Sequence, residues 1–189
     1  MKNSPNSIIS RIAKLMAETK TKYAILGGVA VSLYGMPRLT LDVDVNIILE
    51  KYKTAEFLKK AHNSGFTSLV RSEQKFADRT GVIPMKFSKS EPFGRCDFII
   101  AQNTLEHLAI KRARTKTIGF SKVKVITPED LILQKLVSDR PRDIEDARGV
   151  IMRQKNLDTR YIHFWLKKIS NLTKKSDLLK VFNSLLRLR

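Results

Sequence analysis

The stretch LDVDVNIILE, Leu41 to Glu50, constrains the fold most, because it sets two aspartates one residue apart inside an apolar, β-branched run. Its period of two is the signature of a strand, in which alternate side chains share a face. Asp42 and Asp44 therefore point the same way, roughly 6–7 Å apart at Cα, while Val43, Val45 and Ile47 face the other side. Like charges this close resist burial, so the fold must offer them a cation, a basic neighbour or water. A hard divalent cation such as Mg²⁺ takes one or two carboxylates together with substrate phosphates. A solvated strand edge or salt bridges to Arg38 account for such a pair at least as often.

The surroundings favour the cation. Upstream, KYAILGG reads as a buried strand ended by two glycines, and GVAVSLYG as a short helix stopped by Gly35 and Pro37. Gly27 and Gly28 thus sit between strand and helix, where missing side chains let backbone N–H groups approach an anion. The plainer alternative is a tight turn. In RCDFIIA, a third acid, Asp97, lies near the start of another strand candidate. Beside Asp44 it would complete a carboxylate triad of the kind two-metal phosphoryl chemistry uses; at an edge it would pair with Arg95.

The rest of the chain reads as a mixed, α+β body with a helical tail. Apolar spacing predicts helices over residues 6–19, with Ser7 near the start, and 54–63, stopped by Gly65. FTSLV, GVIPMKF and VKVI are further strand candidates, Pro84 placing the second at an edge or bulge. NTLEHLAIKRA is helical, and TPEDLILQKLVSD starts with Thr127 as cap, Pro128 at the first position and Asp130 closing a capping-box-like arrangement. Beyond it, three helical segments run to Arg189 and nothing resembles a strand.

Charge narrows the partners. Thirty-six Lys and Arg face eighteen Asp and Glu, a formal +18, and such a field gathers polyanions. KRARTKTIGFSKVK, from Lys111 to Lys124, holds six basic residues, no acid and one aromatic, a composition suited to a nucleic-acid backbone. The single cysteine, Cys96, excludes an intrachain disulfide or a cysteine zinc site and suits a reducing cytoplasm. No window is apolar enough to span a membrane or direct secretion. A soluble cytoplasmic protein is expected.

GGVAVSLYGMPRLTLDVDVNI resembles the signature of the nucleotidyltransferase fold, the polymerase-β-like superfamily, in which paired small residues precede an Asp-x-Asp and a later acid joins from a neighbouring strand. VITPEDLILQKLVSDRPRDIEDARGVI resembles the downstream motifs of the abortive-infection type nucleotidyltransferase toxins and their minimal relatives. The resemblance runs from about Lys22 to Met152. It implies a small mixed sheet flanked by helices over residues 1–127 and a helical segment over 128–189 that completes the cleft.

It also implies that Gly27 and Gly28 serve the triphosphate, that Asp42, Asp44 and Asp97 hold Mg²⁺, in two ions, and that Lys135 approaches the nucleotide phosphates. Asp143 and Asp146 would support the pocket, Thr40 would share a face with Asp42, and Arg38 would balance the acids or touch phosphate. A surface pair of Lys135 with Asp139 is the plainer reading of that lysine.

The implied reaction is attack of an acceptor hydroxyl on the α-phosphorus of an NTP with release of pyrophosphate. Structured RNA such as tRNA is the acceptor the charge favours, and the activity could be that of a toxin restrained by an antitoxin protein. The alternative is a non-catalytic nucleotide- or RNA-binding module, or an antitoxin-like partner retaining the fold. An aminoglycoside acceptor, itself a cation, is disfavoured by the charge.

Overall fold

The computed structural model describes residues 5–87, 94–138, 140–173 and 177–189. Packing divides the chain into two compact units, Met1–Val29 with Leu39–Ile126, and Ala30–Arg38 with Thr127–Arg189. Among the described residues no helix is long and apolar enough to cross a membrane.

The first unit is built on a seven-stranded mixed sheet. In chain order its strands are β1 (Lys22–Ile25), β2 (Asp42–Ile48), β3 (Thr67–Ser68), β4 (Val82–Lys86), β5 (Arg95–Ile100), β6 (Arg114–Ile118) and β7 (Ser121–Val125). In space the order is β3-β4-β5-β2-β1-β7-β6. β2 runs antiparallel to β1 and parallel to β5, with Asp44 opposite Asp97 and Val45 opposite Phe98. Pairing across a sheet puts opposite residues on one face, so this register sends valines and phenylalanine one way and carboxylates the other.

The apolar face is covered by helices α1 (Pro5–Thr19) and α3 (Thr54–Asn63). α1 presents Ile8, Ile12 and Leu15, all fully buried, at helical spacing. Phe98 stacks edge-on against Phe57 of α3 at 5.4 Å and against Phe66 at 5.6 Å. Aromatic clusters of this kind dominate a core, and truncating one ring costs about 3–5 kcal/mol. Cys96 is fully buried in the same layer, and burial, with the nearby Asp97 and Asp44 charges, pushes its thiol well above its usual pKa.

α1 ends unusually. Thr21 N–H donates to the Met16 carbonyl (3.1 Å) and Lys20 N–H to Ala17 (3.2 Å), the paired bonds of a Schellman stop. The left-handed position that such a stop normally gives to glycine is filled by Lys20, at φ 53°, the only non-glycine with positive φ among the described residues. Lys20→Gly should therefore stabilise the protein by about 0.5–1 kcal/mol, visible as a rise of about 1–4 °C in melting temperature.

Three elements depart from the sequence reading. α4 (Glu73–Thr80) and β6 were not anticipated, and the basic stretch after α5 (Thr104–Arg112) is an antiparallel hairpin, β6–β7, turning at Gly119 and Phe120. β4 is an interior strand, lying between β3 and β5. Its Pro84 is tolerated because β3 pairing ends at Ser68, so the missing donor faces the side where Leu69 N–H already bonds the Pro84 carbonyl at 3.0 Å.

The second unit is helical. It holds the later part of α2 (Gly27–Tyr34), then α6 (Pro128–Ser138), α7 (Pro141–Arg153), α8 (Thr159–Thr173) and α9 (Leu178–Arg187). α6 begins as its sequence signals: Asp130 N–H donates to Thr127 Oγ1 at 3.2 Å, and the Thr127 hydroxyl donates to Asp130 at 2.7 Å. The other Asp130 oxygen accepts from the Tyr161 hydroxyl at 2.5 Å, tying α8 to the start of α6. Around this buried polar pair, Leu131, Ile132, Leu136, Val150, Leu166 and Phe182 close the core.

Candidate active site

In the first unit the carboxylates converge by register. Asp42 and Asp44 sit on β2 with their side chains on the face away from the aromatic core, and Asp97, opposite Asp44 on the adjacent parallel strand, joins them there. Asp42 is exposed, Asp44 and Asp97 half-buried. This is the juxtaposition that spacing alone left open.

The glycines seat these acids. Gly27 opens α2 at φ +61°, and a Cβ there would lie 1.9 Å from Asp44 Oδ2. Leu26 N–H holds the backbone in place by donating to the Asp44 carbonyl at 3.0 Å. Gly28 is equally closed to a side chain: a Cβ would meet Thr40 Oγ1 at 2.6 Å, while that hydroxyl donates to the Asp42 carbonyl at 3.1 Å. The glycine pair, Thr40 and the Asp-x-Asp strand are thus one packed arrangement at the start of α2. Gly27→Ala combines a left-handed alanine, about 1–2 kcal/mol, with displacement of the Asp44 carboxylate. Urea unfolding should show a loss of at least about 2 kcal/mol.

Arg95 supplies the local cation. Its guanidinium donates through Nη2 to Asp97 Oδ2 at 3.1 Å and through Nε to Oδ1 at 3.4 Å. That hydrogen bonding and the Asp97 charge raise the Arg95 pKa, with Asp42 and Asp44 adding to the effect. Among the described residues no group of three or more His, Cys, Asp or Glu is already arranged to hold a metal ion, and Asp97 spends both oxygens on Arg95. In kind, the three carboxylates are hard oxygen donors of the class a divalent cation takes. They lie on one face of two paired strands, where the Asp44 carboxylate packs against Gly27.

The second unit gathers the other expected residues into an ion cluster. Lys135, 13 % exposed, donates to Asp143 and, at 2.9 Å, to Asp146, itself 7 % exposed. Arg38 grips the same Asp146 with two bonds of 3.1 Å. Arg38 is therefore the partner of Asp146. The pairing of Lys135 with Asp139 falls outside the described residues. Ser138, which the sequence gave no reason to single out, completes the cluster by donating to Asp143 at 2.6 Å. Burial alone would push the Asp143 carboxyl up, but bonds from Lys135 and Ser138, with the charges of Lys135 and Arg140, together hold it below its usual pKa.

A family model described as a nucleotidyl transferase of unknown function (DUF2204) matches residues 94–180, the span that includes Asp97, Lys135 and Asp146. No relative was found among curated protein sequences. The chain is similar in structure to an antigenic nucleotidyltransferase-like protein from Paracoccidioides brasiliensis, at 21 % identity, covering 95 % of this chain and 92 % of that one, with a TM-score of 0.60.

It is also similar to the antibiotic-resistance factor ANT(2'')-Ia (16 % identity, 80 % and 85 % coverage, TM-score 0.54). A third likeness is to the lincosamide antibiotic adenylyltransferase LnuA (15 %, 79 % and 98 %, TM-score 0.52). A mixed sheet with paired carboxylates after a glycine turn, a nucleotidyl transferase model over the later half and these neighbours agree: the chain has the nucleotidyltransferase fold.

Proposed function

We propose that the protein is an Mg²⁺-dependent nucleotidyltransferase that moves a nucleoside monophosphate from an NTP to a hydroxyl of an RNA such as tRNA. The observation that carries this reading is the register of β2 and β5, which sets Asp97 beside Asp44 on the face where Gly27 makes room for the Asp44 carboxylate. Asp42, Asp44 and Asp97 would hold Mg²⁺, and when bound the metal supplies charge stabilisation to the entering and leaving oxygens.

The chain's own residues do the positioning. The first turn of α2 offers backbone N–H groups toward phosphate, Thr40 fixes the entry to β2, and Arg95 keeps Asp97 oriented. The absence of any Ser-His-Asp or Cys-His arrangement from the motifs of the sequence accords with chemistry that needs no covalent intermediate.

RNA is preferred as acceptor because a formal +18 exceeds what attraction of one nucleotide requires. Two structural neighbours carry names of enzymes or factors of antibiotic resistance, one an adenylyltransferase, which makes ATP the first donor to try. Purified protein incubated with each α-³²P-labelled NTP, Mg²⁺ and total tRNA should label the RNA. Labelling of an aminoglycoside or a lincosamide in place of RNA would replace the acceptor, and no transfer to any acceptor would end the catalytic reading.

A further inference from the structure

The face that carries Asp44 and Asp97 continues sideways onto β4, where Pro84 lies opposite Asp97 and Val82 opposite Ile99. There it forms the floor of a cavity of about 390 Å³ that Asp97 and Arg95 border directly. Leu69, Val70 and Phe76 wall it, with Thr80, whose hydroxyl is taken up by the Phe76 carbonyl and the Val82 N–H. A second cavity, about 330 Å³, shares Val70 and Phe76 with the first and is otherwise lined by Ser72 and three cations, Arg71, Lys75 and Arg79. No carboxylate lines this second cavity. Arg79 lies over the Phe76 ring at 5.8 Å, so aromatic and cation stand together at the junction.

Each half selects a chemistry. An apolar, partly aromatic seat of this volume is of the size and character that small ligands occupy, and it leaves Leu69 44 % exposed, ready to be covered. A base with a π-face suits Phe76, and an arginine-lysine cradle suits phosphates. The second cavity, with Arg71, Lys75 and Arg79 and no acid in its lining, repels a polycationic sugar.

We infer that the paired cavities on α4 are the acceptor site: the apolar seat beside Asp97 takes the terminal nucleoside of a single-stranded RNA, and the Arg71, Lys75 and Arg79 seat takes the phosphates next to it. The inference rests on the reading that Asp97 belongs to the reacting carboxylates. It adds where the acceptor lies and which end of it enters.

The test is fluorescence anisotropy with a short, 5′-labelled single-stranded RNA bearing a free 3′ hydroxyl, without NTP. Arg71→Ala/Lys75→Ala/Arg79→Ala, all exposed positions, should weaken binding at least about tenfold and shrink the slope of log affinity against log salt by about 2. Leu69→Asp should weaken it about tenfold by spoiling the base seat. Lys167→Ala/Lys180→Ala/Arg187→Ala, an equal loss of charge from α8 and α9, should change it less than about twofold.

Equal weakening by both triple variants, or displacement of the RNA by free AMP at the same concentration, would overturn the inference. So would the absence of RNA binding by the unaltered protein. Binding of a fluorescent ATP analogue with Mg²⁺, measured in parallel, separates the two claims. If it persists while the α4 variants leave RNA binding unchanged, only the acceptor site falls. If it is absent from the unaltered protein, the nucleotidyltransferase reading falls with it.

Discussion

Asp44→Asn should reduce nucleotidyl transfer by at least about 10²–10³-fold while leaving the folded structure in place. The substitution keeps the side chain's shape against Gly27 and removes only its charge. Removing one fixed electrostatic group from a site that stabilises developing charge costs on the order of 10²–10³ in rate. The measurement is the initial rate of label transfer from the preferred α-³²P NTP, with a thermal melt as the check on folding. A transition within about 2–4 °C of the parent, the range of a 1 kcal/mol change, together with lost transfer is the expected pair of results. Full activity in Asp44→Asn would remove Asp44 from the chemistry.

Asp146→Ala carries the second large effect, on stability. Asp146 is almost fully buried and accepts from both Lys135 and Arg38, whose side chains are 13 % and 28 % exposed. Taking away this carboxylate strips Arg38 of its acid partner and leaves Lys135 with Asp143 alone, and breaking a buried pair from one side costs about 3–5 kcal/mol. The corresponding fall in melting temperature is about 6–20 °C, at about 2–4 °C per kcal/mol for a chain of this size.

Asp143 makes the same cluster pH-sensitive. Its pKa is lowered in the folded state from an ordinary 3.8, so its contribution is complete above that unfolded value and is lost as pH falls through the lowered folded pKa. Urea midpoints measured across that acid range should fall more steeply for the parent than for Asp143→Asn.

Legibility tracked the range of the interaction. β2 announced itself through its period of two, and the start of α6 through Thr127, Pro128 and Asp130, because strand alternation and capping are local physics. α4 escaped notice because its sequence, EQKFADRT, buries only Ala77 and so shows no apolar stripe. The signal that could have found it was Gly81, which ends the helix in the left-handed conformation at φ +71°. β6 was hidden by charge: RTKTI reads as a basic tract until it is paired with SKVKV across the Gly119 turn.

The site followed the same rule. Gly27 and the Asp-x-Asp were readable, since each is a local departure from an apolar run. That Asp97 stands beside Asp44 depends on β5 docking parallel to β2, and the Arg38–Asp146 pair joins residues 108 apart in sequence. Neither is encoded in any spacing a single sequence displays. Leu69, Phe76 and Arg79 gave no sign of belonging together, because only the turn into α4 and its packing near β4 bring them to one place.

The central claim is that the carboxylate face of β2 and β5 receives a metal-bound nucleotide. Isothermal titration of an NTP analogue that cannot be cleaved at the α-phosphorus, in the presence of Mg²⁺, tests it most directly when the parent is compared with Asp42→Asn/Asp44→Asn. Saturable binding that requires Mg²⁺ in the parent, and is lost in the double variant, is the predicted result. Binding of equal strength in both proteins, or binding indifferent to Mg²⁺, would contradict the claim.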